Sequence, residues 1–131
     1  MIVVIDTSVW ISAMQFESRR GTPVLALELA RRRDTIATCK EITEEIFRVL
    51  TEKFRWEPSA TRFRLSFLLA KSKELQITGT LRVCRDPNDD MILECAVLAG
   101  ARAIVAGDKD LLSLRSYKRI RIVTPAQYLA L

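Results

Sequence analysis

The sequence predicts an α/β fold, a sandwich in which helices cover a mostly parallel β-sheet. Short apolar segments rich in β-branched residues alternate with longer segments whose apolar residues recur at helical spacing. The first segment, Ile2-Val3-Val4-Ile5, is apolar at every position, as expected for a strand covered on both faces. With 131 residues, 49% of them hydrophobic, the chain has the size of one domain, and we expect a single domain over residues 1–131.

The individual elements follow from apolar spacing and from residues that start or stop helices. Asp6-Thr7-Ser8 and Gly21-Thr22-Pro23 each precede a helical pattern. The turn-forming run Asp86-Pro87-Asn88-Asp89-Asp90 precedes a nearly all-apolar helix. The predicted strands are 2–5, 35–38, 75–77, 103–106 and 120–123, and the predicted helices are 9–14, 24–33, 40–53, 59–72, 91–99, 111–114 and 125–131.

The composition excludes several kinds of catalytic site. The chain has no histidine, which removes Ser-His-Asp triads, most catalytic zinc sites and imidazole acid–base pairs. Its cysteines, Cys39, Cys84 and Cys95, are odd in number and form no CxxC pair, so we expect buried free thiols. The first apolar run meets Asp6 too soon for a signal peptide, and no run reaches the roughly 18 apolar residues of a membrane span. We therefore expect a cytoplasmic protein with no membrane contact.

The charge balance is basic, with 21 Lys and Arg against 16 Asp and Glu, a net charge of +5. A basic exterior suits a polyanion held by its phosphates, although Arg and Lys usually only solvate helix faces, and charge alone favours that interpretation. The main cations are Arg19, Arg20, Arg31, Arg32, Arg33, Arg62, Arg64, Lys71, Lys73, Arg82, Arg85, Arg115, Lys118, Arg119 and Arg121.

Acidic residues occur where predicted elements turn toward a shared edge of the sheet. Asp6 closes the first strand, Asp108 follows the strand 103–106, and Asp89 and Asp90 begin an apolar helix. Glu45 lies at the edge of the apolar stripe of its helix. Taken singly, each Asp is also an ordinary turn or helix cap. Brought together, the carboxylates repel one another unless a hard cation such as Mg2+ or Mn2+ neutralises them.

Helical spacing does not choose between Asp89 and Asp90 as the residue that faces this edge. Asp89 shares a helix face with Ile92 and Ala96, and Asp90 shares one with Leu93 and Val97. Both assignments stay open at this level.

Three segments, VVIDTSVWISA, EEIFRVL and DPNDDMILECAVLAGARAIVAGDKDLL, resemble the PIN-domain ribonucleases, especially the small members related to VapC-type toxins. The resemblance covers nearly the whole chain and implies a three-layer α/β/α sandwich with a central sheet of about five strands. It implies an Mg2+- or Mn2+-dependent endoribonuclease whose catalytic, metal-binding acids are Asp6, Glu45, Asp89 and Asp108. The supporting candidates are Ser8, Asp90 and Asp110.

The same resemblance implies partners and leaves alternatives. It implies an RNA substrate, a homodimer, and a small antitoxin protein that neutralises this chain as the toxin of a type II toxin–antitoxin pair. Family members often carry Thr where this chain has Ala106, which keeps open a weak or inactive PIN-like RNA-binding protein. A phosphoacceptor receiver domain is the remaining alternative, but it requires a paired acid after the first strand, and Asp6 stands alone.

Overall fold

The computed structural model describes residues 1–131 and contains one six-stranded sheet. The strands are β1 (Ile2–Ile5), β2 (Thr35–Cys39), β3 (Lys73–Leu75), β4 (Ala103–Val105), β5 (Ser116–Tyr117) and β6 (Ile120–Val123). Their order is β3-β2-β1-β4-β6-β5, and every pair is parallel except β5 with β6. The predicted α/β class and mostly parallel sheet are confirmed, with six strands instead of about five.

Seven α-helices surround the sheet, and none of them is long and apolar enough to cross a membrane. The helices are α1 (Thr7–Gln15), α2 (Thr22–Arg33), α3 (Lys40–Arg48), α4 (Pro58–Leu68), α5 (Pro87–Ala99), α6 (Lys109–Ser113) and α7 (Pro125–Leu129). A 3-10 turn follows α1 at Glu17–Arg19, and a π-helical turn at Val49–Lys53 extends α3. Helix α2 packs between α1 and α7, while α5 packs on β1, β2, β3 and β4.

Burial on strand β1 explains the layered arrangement. Val3, Val4 and Ile5 are almost completely inaccessible, and consecutive strand residues point to opposite faces. Both faces of the sheet are therefore covered, as the uninterrupted apolar run predicted. The core also takes in Trp10 of α1 and Tyr128 of α7.

Three predicted boundaries are corrected. Strand β3 lies at Lys73–Leu75 instead of 75–77, and α4 ends at Leu68, four residues before the predicted end at 72. Helix α5 begins at Pro87 instead of Met91. The reason is local, because the Asp86 carboxylate accepts a hydrogen bond from the Asn88 N–H (2.9 Å) and Pro87 fits the first helical position.

The strand order places a crevice between β1 and β4. The connections from β1 through β2 to β3 move in one direction, and the connection through α5 then returns to the other side of β1. Ligand sites of open parallel sheets lie at such reversals, beyond the carboxyl ends of the strands. Asp6 stands at this point, and its N–H donates to the Val105 carbonyl (2.9 Å).

The strand β5, which was not predicted, forms a tight hairpin with β6. Tyr117 pairs with Ile120, so Lys118 and Arg119 alone make the turn. Both residues have positive φ, 47° and 67°, as in a type I′ turn that normally uses Asn-Gly.

Candidate metal centre

The four predicted metal ligands converge from four elements toward the crevice between β1 and β4. Asp6 ends β1 and precedes α1, while Asp108 follows β4 and caps α6, where its Oδ1 accepts from the Asp110 N–H (3.0 Å). Asp89 lies in the first turn of α5, and Glu45 lies on α3. The sheet edge gathers these acids as the strand-end argument predicted; their role as ligands stays a prediction.

The tightest group of acids is Asp89, Asp108 and Asp110. Each offers a carboxylate oxygen within 4.8 Å of the others. Asp89 is only 4% exposed, and its buried Oδ2 has no hydrogen-bond partner. A buried oxygen without a partner is costly in an isolated protein and is satisfied by a cation. Asp110, which was predicted only as a supporting residue, therefore lies within the tightest group of acids.

Asp6 and Glu45 lie beside this group. Burial raises the pKa of Asp6, the hydrogen bond from Ser8 lowers it, and the charge of Asp108 raises it. Burial likewise raises the pKa of Glu45, Arg48 opposes that rise, and the charge of Asp6 adds to it. The Oε2 of Glu45 is buried without a partner. These mutual influences mean that the acids share one electrostatic environment.

Ser8 fixes the orientation of the Asp6 side chain. Its hydroxyl donates to Asp6 Oδ2 at 2.9 Å. A Cβ at Gly107, next to Asp108, would come within 3.1 Å of the Ser8 Oγ, so glycine lets the loop after β4 approach β1 closely. The pair Ser8 and Gly107 holds Asp6 and Asp108 near each other.

Burial raises the pKa of Asp89 to about 8, with further contributions from its hydrogen bond with Asp108 and the charges of Asp108, Asp6 and Asp86. Without a cation, Asp89 therefore keeps its proton at neutral pH. Asp86, which the sequence marked only as a cap, also raises the pKa of Glu45 by its charge. Its position at the head of the acid-rich segment DPNDD was the signal for this sixth acid.

Asp90 has a different environment from Asp89. Its Oδ1 accepts hydrogen bonds from the backbone N–H groups of Val83 (2.9 Å) and Cys84 (2.8 Å). Burial alone would raise the pKa of Asp90, but these donors bring it below its ordinary value. Asp90 thus fastens the segment before α5, whereas Asp89 faces the acids.

Glu94, one turn further along α5, fastens the same segment at its other end. Its carboxylate accepts from the N–H and hydroxyl of Thr78 and from the Gly79 N–H (3.0 Å). We call residues 76–86 the strap, since Asp90 and Glu94 tie it to α5. Near the end of the strap lies Arg85, whose guanidinium is 3.3 Å from Asp110 Oδ1 and whose side chain is 88% exposed.

Glu45 also borders an acidic groove between α3 and α5. The groove has a volume of about 470 Å³ and includes Glu41, Glu44, Glu45, Glu52, Arg48 and Asn88. Glu44 is exposed and forms a two-point ion pair with Arg62 (2.9 and 3.1 Å).

The residues present fit a divalent cation of the Mg2+ or Mn2+ type. All donors are carboxylate oxygens, which these hard ions prefer, and two of the oxygens are buried without any partner. The three cysteines are free and contribute nothing to the group.

Together these features describe an α/β protein with a cluster of acidic residues at the sheet's switch point. The sequence profile of the PIN domain matches residues 2–110. The chain belongs to the PIN domain family, which confirms the resemblance. It is also 31% identical to the uncharacterized protein MJ1680 of Methanocaldococcus jannaschii, over 97% of this chain and 88% of that one.

Solved structures share the fold. The VapBC2 structure from Rickettsia felis, bound to a promoter DNA fragment, has a TM-score of 0.65 at 15% identity, covering 95% of this chain and 98% of that one. Mycobacterium tuberculosis VapC20, described as a toxin that cleaves the sarcin-ricin loop, gives 0.63 at 16% identity, covering 91% and 98%. PAE2754 of Pyrobaculum aerophilum gives 0.57 at 17% identity over both full lengths. The strand order also differs from the 2-1-3-4-5 order of receiver domains, so the receiver alternative is wrong.

Proposed function

We propose that this protein is an Mg2+- or Mn2+-dependent endoribonuclease and the toxin of a type II toxin–antitoxin pair. One observation supports the metal-dependent activity above the others. The buried Asp89 oxygen has no partner and lies among the carboxylates of Asp108 and Asp110, at the crevice where an open parallel sheet binds ligands. Membership of the PIN domain family and the structural likeness to a toxin described as cleaving an RNA loop agree with this activity.

Asp6, Glu45, Asp89 and Asp108 would hold the cation, with Asp110 close enough to join them. A bound cation of this class lowers the pKa of a water ligand and offsets the negative charge of a phosphodiester. Ser8 keeps the Asp6 carboxylate turned toward the site. The carboxylates repel the negatively charged phosphates of RNA unless a cation offsets their charge. RNA binding at this edge therefore depends on the cation.

Two basic side chains near the acids, those of Arg85 and Lys109, would contact the phosphates that flank the cleaved bond. Arg85 is held at the end of the strap, and Lys109 lies between Asp108 and Asp110. The backbone on both sides of Arg85 is fixed, by Asp90 holding Cys84 and by Asp86 capping α5. Only the exposed side chain moves, so it can leave Asp110 and pair with a phosphate.

The test compares Glu45→Gln with the matched control Glu44→Gln. Both remove one carboxylate from α3, but Glu45 faces the acids while Glu44 is exposed and pairs with Arg62. Glu45→Gln should abolish Mn2+-dependent cleavage of a labelled single-stranded RNA, and Glu44→Gln should retain it. Equal cleavage by both variants, or cleavage that persists in EDTA, would contradict the proposed metal site.

Asp6→Asn tests the same proposal at β1, where loss of cleavage is expected. Calorimetric titration with Mn2+ separates the enzyme from the weak or inactive RNA-binding alternative. A wild-type chain that binds Mn2+ and RNA but leaves the RNA intact would favour that alternative, which Ala106 kept open.

An exposed apolar surface lies on α4. Phe63 and Phe67 are 77% and 63% exposed one turn apart. Beside them, a cavity of about 560 Å³ between α2 and α4 is lined by Phe67, Leu68, Arg31, Arg32 and Lys71, among others. Large exposed apolar side chains beside cations suit an amphipathic segment that carries acids.

We propose that a small antitoxin places such an apolar, acid-flanked segment in this cavity; the structural likeness to VapBC2 supports a partner of this kind. A double variant Phe63→Ser, Phe67→Ser should lose co-purification with a protein encoded beside this chain, and unchanged co-purification would refute the placement. The homodimer stays a prediction, to be measured by light scattering of the purified chain.

A further inference from the structure

A second basic surface lies at the sheet edge opposite the acids. Arg102 precedes β4, and Arg115, Lys118, Arg119 and Arg121 lie on or beside the β5–β6 hairpin. All five are exposed, and none of them forms an ion pair within 4.0 Å. We call these five residues the basic edge.

The basic edge differs from an ordinary solvated face in its lack of acids. Residues 111–131 contain no Asp or Glu at all. Elsewhere on the fold, several exposed cations pair with acids, as Arg62 with Glu44 and Arg20 with Glu28. The field at this edge is therefore uniformly positive, which attracts a polyanion.

Backbone strain is concentrated in the same segment. Arg115, Lys118 and Arg119 have φ of 62°, 47° and 67°, in the left-handed region that disfavours side chains with a Cβ. Asn-Gly would form the two-residue turn with less strain than Lys-Arg. A less strained turn sequence is available, yet this chain has Lys-Arg. The strain therefore points to a role for the Lys118 and Arg119 side chains.

An aromatic ring lies among the cations. Tyr117 is half-buried, and the Lys118 Nζ lies 5.6 Å from the centre of its ring. Exposed aromatic surface with unpaired cations is the composition that binds single-stranded nucleic acid, through stacking and phosphate contacts.

We propose that the basic edge is an accessory binding surface for the phosphate backbone of single-stranded RNA. The proposal rests on the ribonuclease function above and extends it. The hairpin turn and Arg102 lie at the amino ends of β6 and β4, whereas Asp6 and Asp108 lie beyond carboxyl ends. A strand of RNA must therefore run along the height of the sheet to reach both surfaces. The basic edge would select long or structured RNA over short oligonucleotides.

The experiment measures RNA binding in EDTA, so that neither cleavage nor the acidic site contributes. The main variant is Lys118→Asn, Arg119→Gly, which removes two cations while favouring the turn, so that unfolding does not explain a loss. The control, Lys53→Glu with Lys73→Asn, lowers the charge by more, at exposed positions outside the basic edge. Fluorescence anisotropy is recorded with a long and a short labelled oligouridine at several salt concentrations.

For the long RNA, the main variant should bind more weakly, and its salt slope should fall by about 1.4, because each lost single-strand phosphate contact removes about 0.7. The short RNA should also bind the main variant more weakly, because in EDTA only the basic edge is left to hold it, and the control should show little change. Equal effects of the two variants, or an unchanged long-RNA slope in the main variant, would overturn the proposal. The proposal would also be overturned, in favour of a membrane partner, if the wild type binds phosphatidylserine vesicles and the main variant does not, while both bind RNA equally.

The two proposals can fail separately. If the wild-type chain binds long RNA through the basic edge in EDTA but cleaves no RNA with Mn2+, the basic-edge proposal stands. The proposed ribonuclease activity is then refuted. If the wild-type chain cleaves RNA, and the main variant binds long RNA as tightly as the wild type, only the basic-edge proposal is refuted.

Discussion

Asp89→Asn should stabilise the protein in the absence of divalent cations, and the effect should grow with pH. Burial, then Asp108, raises the pKa of Asp89 from 3.8 to about 8. An unfolded chain releases this proton near pH 4, whereas the folded protein retains it until about pH 8. The contribution of this carboxyl to stability is therefore fully present below pH 4 and is lost as pH rises toward 8. An asparagine has no proton to lose, and its amide can still donate to Asp108.

The magnitude follows from the size of that shift. Each pKa unit corresponds to about 1.36 kcal/mol, so the whole shift sets an upper limit of roughly 5 to 6 kcal/mol. Relaxation of the folded protein and water penetration around the ionised carboxylate reduce this limit, so the expected gain in the free energy of unfolding at pH 8.5 is about 2 kcal/mol. At pH 4 the gain should be close to zero.

The assay is urea unfolding in EDTA at pH 4, 7 and 8.5, followed by the fluorescence of Trp10 and Trp56, both of which pack in or against the core. Adding Mn2+ at a hundred times its dissociation constant should then stabilise the wild type by about 2.7 kcal/mol and the variant much less. Asp90→Asn is the matched neighbour, and it should give no gain at any pH. An Asp89→Asn protein less stable than wild type at pH 8.5 in EDTA would refute the reasoning.

Three further predictions concern the strap and the hairpin. Asp90→Ala should lower the free energy of unfolding by about 2 to 4 kcal/mol, since the N–H groups of Val83 and Cys84 lose a buried acceptor; limited proteolysis should then cut within the strap, and an uncut strap would contradict the anchoring. Arg85→Ala, at an exposed position, should leave the urea midpoint nearly unchanged and raise KM for RNA more than it lowers kcat, whereas an unaltered KM would exclude the phosphate contact. Lys118→Asn with Arg119→Gly should raise the free energy of unfolding by about 1 kcal/mol by relieving positive φ, and a lower midpoint would mean that the turn is not strained.

The elements that local pattern describes well were predicted from the sequence. Strand β1 was predicted at its observed bounds because all four of its residues are apolar and Asp6 follows. The hairpin was missed because Lys118-Arg119 has none of the residues that mark a two-residue turn. The end of α4 was placed too late, since neither Gly nor Pro follows Leu68.

The candidate site likewise has residues whose positions the local sequence predicts and residues whose positions depend on tertiary contacts. The positions of Asp6 and Asp108 follow from strand ends, which local sequence indicates. The difference between Asp89 and Asp90 depends on contacts with the strap and with α6, which are distant or irregular in sequence. Helical spacing therefore left the two residues equivalent, and only the tertiary arrangement separates them. The partnership of Arg85 with Asp110, 25 residues apart, is likewise a property of the folded chain.

The anchoring of the strap bears on how this protein can diverge in evolution. All but one of the hydrogen bonds that Asp90 and Glu94 accept come from main-chain N–H groups, the exception being the Thr78 hydroxyl. Main-chain donors are present whatever side chain a residue carries, proline excepted. Mutations along this surface loop can therefore change the side chains that the loop presents to solvent while the neighbouring Asp89 carboxylate on α5 keeps its position.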